Sequence, residues 1–246
     1  MTYCVGVVLD TGLVFLSDSR TNAGVDQVNT FRKVTVFERP GERVLVLQVA
    51  GNLSVAQSVV TLLHDAVAAA GEELHLMNCP TLYDVACTVG AAVRTVHDRD
   101  GEALKKFGLD FNPAIIVGGQ IRGERPRLFN VYAAGNFIEA TPETTYFQIG
   151  ESKYGKPIID RVIRRSSSLS DATKCLLVSM DSTIRSNLSV GLPLDLVIVR
   201  RDELRVARHA SIEADNAYFR SISSGWSDAL RHAFVQLPEH DWLGGR

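Results

Sequence analysis

The sequence predicts an α+β fold of two antiparallel sheets packed face to face, each covered on its outer side by a pair of helices. Three observations lead there. Strand-like stretches come in runs and helix-like stretches come in pairs, whereas a doubly wound parallel sheet alternates them singly. Short turns join the strand-like stretches, as antiparallel neighbours require. The helical stretches carry apolar stripes, and two sheets covered on their outer faces would bury all of them.

The elements follow in order. Residues 3–9 are β-rich and apolar, Asp10-Thr11-Gly12 is a turn, and residues 13–17 are apolar again, which is a hairpin. Its second strand runs into the polar stretch Asp18-Ser19-Arg20-Thr21-Asn22-Ala23-Gly24, a strand-end loop where site residues often sit. Residues 31–37 and 43–50 are predicted strands around an Arg-Pro-Gly turn. Gly51-Asn52 then leads into a helix over 53–70, with Asn52 as N-cap and Val55, Val59, Leu62, Leu63, Ala66 and Val67 on one face. After a linker over 72–80, Thr81-x-x-Asp84 opens a second helix with a capping-box pattern. Val85, Val89, Ala92, Val93 and Val96 form its stripe, and residues 103–112 are expected to be a helical turn and a loop.

Strands return at 114–121, 127–134, 136–140 and 146–149. Gly150-Glu151-Ser152 opens a helix over about 154–165, and Ser170 is expected to cap another from 171 to about 188. Two strands at 194–199 and 206–212 and a last helix over about 216–234 complete the chain. The whole of 1–246 is predicted to be one domain, with 216–246 a helical extension. Its aromatics, Tyr218, Phe219, Trp226, Phe234 and Trp242, are expected to pack on the same subunit or a neighbour.

Composition bounds the function. The 246 residues are 46% hydrophobic and 22% charged, ordinary for a globular chain able to bury a full core. A net charge of -2 argues against a nucleic-acid partner, and the basic pairs Arg164-Arg165 and Arg200-Arg201 are too short to argue for one. Cys4, Cys79, Cys87 and Cys175 lack metal-site spacing and are expected to be reduced, packed thiols. The six histidines show no ligand spacing either, so neither a metal nor any other cofactor is predicted. With no signal-peptide pattern and no apolar run of membrane-spanning length, the expected location is the cytoplasm, with no membrane partner.

The chemistry is expected at the start of the chain. Thr2 follows Met1 directly, and removal of Met1 would leave a threonine with a hydroxyl and a free α-amine on one residue. The hydroxyl is a nucleophile once a base takes its proton, and an α-amine with an ordinary pKa of about 7.7–8.0 can be that base. Many chains begin Met-Thr without using it, so the motif needs other residues beside it. At the junction of strand and helix, Gly51 offers an outward backbone N–H of the kind that stabilises an oxyanion; from local pattern alone a tight turn is the favoured explanation.

Taken together, Thr2, Asp18-Ser19-Arg20 at a strand end, Lys33 and Gly51 before a helix resemble the proteasome β-subunit family of N-terminal-nucleophile (Ntn) hydrolases. Gln148-Ile149-Gly150-Glu151-Ser152-Lys153-Tyr154-Gly155-Lys156-Pro157 and Ser186-Asn187-Leu188-Ser189-Val190-Gly191 narrow the resemblance to its bacterial branch, Anbu. The resemblance covers roughly residues 2–212 and implies the four-layer αββα sandwich. It implies that Thr2 attacks a peptide or amide carbonyl with its own amine as base. Lys33 would act on the hydroxyl by its positive charge, Asp18 would hold Lys33, and Gly51 would face the oxyanion. A peptide or protein substrate would lie as an added strand between Thr21-Asn22 and the segment after Gly51. It also implies a homo-oligomer, as a ring, open ring or helical stack; nothing in the sequence specifies an ATPase partner.

Two departures from the family pattern matter. Ser186-x-x-Ser189-Val190-Gly191 stands where the family usually has Asp-x-x-Ser-Gly-Gly, so a hydroxyl replaces a carboxylate expected to hold the Thr2 amine. Glu151 stands where the family often has serine, which puts a carboxylate near Thr2. Both leave open an amidase for a small or modified peptide, and a non-proteolytic assembly subunit is the remaining alternative.

Overall fold

The computed structural model describes residues 2–22, 28–69, 71, 73–240 and 242. Met1, whose removal the expected chemistry would need, and Ala23 and Gly24 lie outside the described residues. So does the side chain of Asn22.

β1 (Tyr3–Leu9) and β2 (Gly12–Asp18) form the expected hairpin. The polar stretch after β2 is not all loop. β3 (Arg20–Asn22) and β4 (Val28–Thr30) pair as a small antiparallel ribbon, which strand propensity misses because neither is apolar or alternating. β5 (Val34–Arg39) starts three residues later than its predicted strand, so Lys33 lies just before it. β6 (Arg43–Ala50) runs into α1 (Leu53–Ala69), where Asn52 Oδ1 accepts from the Ser54 N–H at 3.1 Å as a cap should.

α2 (Leu82–Lys106) opens on the predicted capping box of Thr81 and Asp84 and runs into the 103–112 stretch, supplying the helical turn expected there before the loop. Next come β7 (Ala114–Ile121), β8 (Arg127–Val131), β9 (Phe137–Glu139) and β10 (Tyr146–Gly150). α3 (Ser152–Val162) carries Pro157 inside it. α4 (Leu169–Ser186) is capped by Ser168 and not Ser170: the Ser168 hydroxyl accepts from the Asp171 N–H. In a serine run any member has the chemistry to cap, and packing chooses the register. β11 (Leu194–Arg200), β12 (Val206–Ile212) and α5 (Ala217–Val235) close the chain.

The strands form two five-stranded antiparallel sheets, β10-β1-β2-β11-β12 and β5-β6-β7-β8-β9. Three apolar layers hold the stack. Cys4, Val8, Phe15, Val44, Val46 and Ile116 belong to the layer between the sheets. Leu45, Leu47, Val49 and Val117 face the other way, onto Val59 and Leu63 of α1 and Val85, Val89 and Val93 of α2. Val5, Val7, Val14 and Leu196 face Ile159 of α3 and Leu176 and Met180 of α4. Successive residues of β1, β2 and β6 therefore serve opposite layers, and both are dry. That is why these strands are apolar throughout and not alternating. Each large apolar side chain so buried contributes about 1.5–3 kcal/mol. The fold is thus the α+β sandwich that the sequence predicts, in four layers.

α5 packs on this subunit through its first half only. Phe219 is buried beside α4, and Trp226 shares a cavity with Ile158, Val162, Cys175 and Val178. Phe234, Val235 and Trp242 are exposed.

Candidate active site

Side chains alternate along β1. Tyr3, Val5 and Val7 belong to the layer under α3 and α4, while Cys4 and Val8 lie between the sheets. Thr2 shares the parity of Cys4, so it stands at the open end of the inter-sheet layer, half-buried.

Behind it lies a buried ion pair. Lys33 Nζ donates to Asp18 Oδ1 at 2.6 Å and to the Arg20 carbonyl at 2.7 Å. The N–H of the Thr2–Tyr3 peptide donates to the same Asp18 oxygen at 3.0 Å. Asp18 is fully buried and Lys33 is 3% exposed. Burial pushes the Asp18 carboxyl above its usual range, while the Lys33 ammonium and the N–H groups of Tyr3 and Gly191 pull it back. Two charges held this far from water need such a set of partners. The structure therefore brings together three of the predicted residues: Asp18 bonds both Lys33 and the peptide of Thr2.

In front of Thr2 is a cleft of about 490 Å³, lined by Thr2, Gly51, Asn52, Asp110, Asn112 and Glu151 among others. Gly51 has φ +95°, and a Cβ there would meet the Asn112 carbonyl oxygen at 2.0 Å, so the position requires glycine. The Asn52 N–H donates to Asn112 Oδ1 at 2.9 Å, which pins the β6–α1 junction to the loop after α2. Gly150, with φ +81°, is equally constrained: a Cβ would meet the Thr2 carbonyl at 1.8 Å. That same carbonyl accepts the Glu151 N–H at 2.7 Å.

The other predicted site residues are placed as follows. Thr21 and Asn22 lie on β3, in register with Asn29 and Val28. Glu151 lines the cleft. Ser186 is the exposed last residue of α4, and Ser189 Oγ donates to Asn187 Oδ1. Their segment reaches the ion pair by other groups. The Leu188 carbonyl accepts from Arg20 at 2.9 Å, and Gly191 lies so close to that guanidinium that a Cβ would meet it at 2.9 Å. Arg20 thus ties the 188–191 segment to β3 through a carbonyl.

Sequence reasoning missed Gly191, which the Arg20 side chain approaches, Gly150, which the Thr2 backbone approaches, and Asp110 and Asn112, which sit in the stretch expected to be a helical turn and a loop. Only the glycines carry a signal in the sequence. Among the described residues, no three His, Cys, Asp or Glu side chains converge as a metal site, and no helix is long and apolar enough to cross a membrane.

No protein-family model matches the chain, and no curated protein matches it. Solved structures do. Anbu (ancestral beta-subunit) from Yersinia bercovieri is 51% identical, with 98% of this chain and 100% of that chain covered and a TM-score of 0.92. An Anbu (Gly-1) mutant from Hyphomicrobium sp. strain MC1 is 50% identical over 98% of this chain and 100% of that chain, with a TM-score of 0.92. A third structure, described as the helical assembly of the Anbu complex from Pseudomonas aeruginosa, is 46% identical over 99% and 100% of the two chains, with a TM-score of 0.93. Identity at this level over almost the full length, together with the shared sandwich, means that the chain belongs to the Anbu family of proteasome β-subunit-like proteins.

Proposed function

We propose that this chain is a self-assembling N-terminal threonine hydrolase that cleaves peptide or amide bonds once Met1 has been removed. The observation that carries the reading is the Asp18 carboxylate, which bonds Lys33 and the peptide N–H next to Thr2 through one oxygen. A buried ion pair is a poor way to gain stability, so its place beside the start of the chain argues for chemistry.

The steps follow from the groups present. The Thr2 α-amine takes the Oγ proton as Oγ attacks the carbonyl carbon. The tetrahedral oxyanion forms on the side of the Gly51 N–H, and an N–H aimed there is worth about 2.7–4 kcal/mol in the transition state. Collapse expels the leaving amine with the proton that the α-amine had taken, and leaves an ester on Oγ. Water, deprotonated by the same amine, hydrolyses that ester. The Lys33 charge favours the developing alkoxide, and Asp18 keeps Lys33 charged and directed. The substrate backbone lies as a strand between Thr21-Asn22 and the segment after Gly51. Self-assembly is supported by the exposed apolar end of α5 and by the relative described as a helical assembly.

The test is intact-mass analysis of processed protein treated with a peptide boronate or epoxyketone. One adduct on Thr2 is expected, together with loss of peptide turnover in Thr2→Ala. Equal turnover by wild type and Thr2→Ala would leave an assembly subunit without this chemistry. Light scattering should give a mass several times that of one chain.

A further inference from the structure

We propose that the Glu151 carboxylate is the ionic partner that holds the α-amine of Thr2 for proton transfer; this deepens the threonine-hydrolase reading and rests on it.

β1 and β10 are antiparallel with Tyr3 opposite Gly150, and the bond from the Glu151 N–H to the Thr2 carbonyl extends that ladder by one step. Glu151 therefore stands beside Thr2 just beyond the end of this ladder, and both residues line the same cleft. Gly150 makes the approach possible, because its left-handed backbone turns the chain toward Thr2 where a Cβ would collide with the Thr2 carbonyl.

The carboxylate has no competing task. Glu151 occupies the N-cap position of α3 and makes no side-chain cap bond. Its side chain is only 16% exposed, and among the described residues its ion-pair partner is Lys153 at 3.8 Å, a lysine that is 70% exposed and weakly held. The other charged groups around Thr2 are accounted for. Asp18 is committed to Lys33 and the Tyr3 N–H, and Asp110 is an exposed residue of the loop after α2 that lines the same cleft. Ser186, in the position where the sequence lacks a carboxylate, is exposed.

A carboxylate opposite the amine favours its ammonium form, so it raises the pH at which the amine becomes a base and fixes the direction of its lone pair. A positive charge such as that of Lys33 acts in the opposite sense.

The experiment measures the amine directly. Processed wild type, Glu151→Gln and Glu151→Asp are acetylated briefly across a pH series, and acetylation of the Thr2 α-amine is read in the N-terminal peptide by mass spectrometry. The midpoint should fall by about one pH unit in Glu151→Gln and return toward wild type in Glu151→Asp. The pH dependence of boronate labelling should move in the same direction. Coincident midpoints in wild type and Glu151→Gln, with both proteins folded by thermal denaturation, would overturn the proposal. If the amine midpoint shifts but wild type shows no Thr2 adduct, the hydrolase reading falls while the carboxylate–amine contact stands.

Discussion

Lys33→Met tests the buried pair most directly. It removes the cation from a carboxylate that has no exposure of its own. At an effective dielectric of about 20, charges 2.6 Å apart attract by about 6 kcal/mol, and desolvation of both ions offsets much of that. Deleting one partner leaves the desolvation penalty of the other, so the expected loss is about 3–5 kcal/mol. For a chain of this size that lowers Tm by roughly 6–20 °C, measured at fixed protein concentration because assembly also shifts Tm.

The pH dependence gives the sharper check. Burial already raises the folded Asp18 carboxyl above its usual value, and loss of Lys33 raises it further. A carboxyl whose folded pKa exceeds its unfolded one stabilises the fold in acid and loses that contribution as pH rises through the folded value. The Tm gap between Lys33→Met and wild type should therefore widen from about pH 4 to about pH 8. Asp18→Asn combined with Lys33→Met should recover most of the loss, because no charge is left buried. A gap that does not change with pH, or a double variant no better than Lys33→Met, would refute the argument that an uncompensated carboxylate causes it.

Other outcomes follow from the same geometry. Gly150→Ala should cost about 1–3 kcal/mol from backbone strain alone, and by displacing Thr2 it should slow adduct formation at least about tenfold; denaturant unfolding and labelling rates measure the two effects. Tyr3→Phe removes a buried hydroxyl shared by Ser179 and Gln148, so a loss of about 1–3 kcal/mol in urea unfolding is expected, with the β1–β2 register unchanged. Burial pushes the Cys4 thiol up, and the Cys175 thiol up to about 12. A thiol reagent at pH 8 should therefore modify the half-buried Cys87 first and leave Cys4 untouched until the protein unfolds.

Much of the fold was legible along the chain. β1, β6, β7 and β12 stand where their apolar runs and turns predict. The capping box at Thr81 and the cap at Asn52 mark their helices because capping is a local hydrogen bond, settled within four residues. Elsewhere local pattern was silent or wrong: the β3–β4 ribbon is polar, and Ser168 and not Ser170 caps α4.

The site divides along the same line. The kinds of residue that could do the chemistry, a threonine beside the start, an aspartate at a strand end, a lysine and a glycine before a helix, are written in the sequence, since nucleophile, base and charge are properties of single side chains. Their meeting is not. Asp18 reaches the Tyr3 N–H because β1 and β2 pair in one register and meets Lys33 from the segment before β5, while Asn112 and Gly150 enter because backbones remote in sequence approach closely and Gly191 because the Arg20 guanidinium lies against it. A hydrogen bond depends on tenths of an ångström between groups remote in the chain, and that precision is set by packing of the three apolar layers, not by any residue alone.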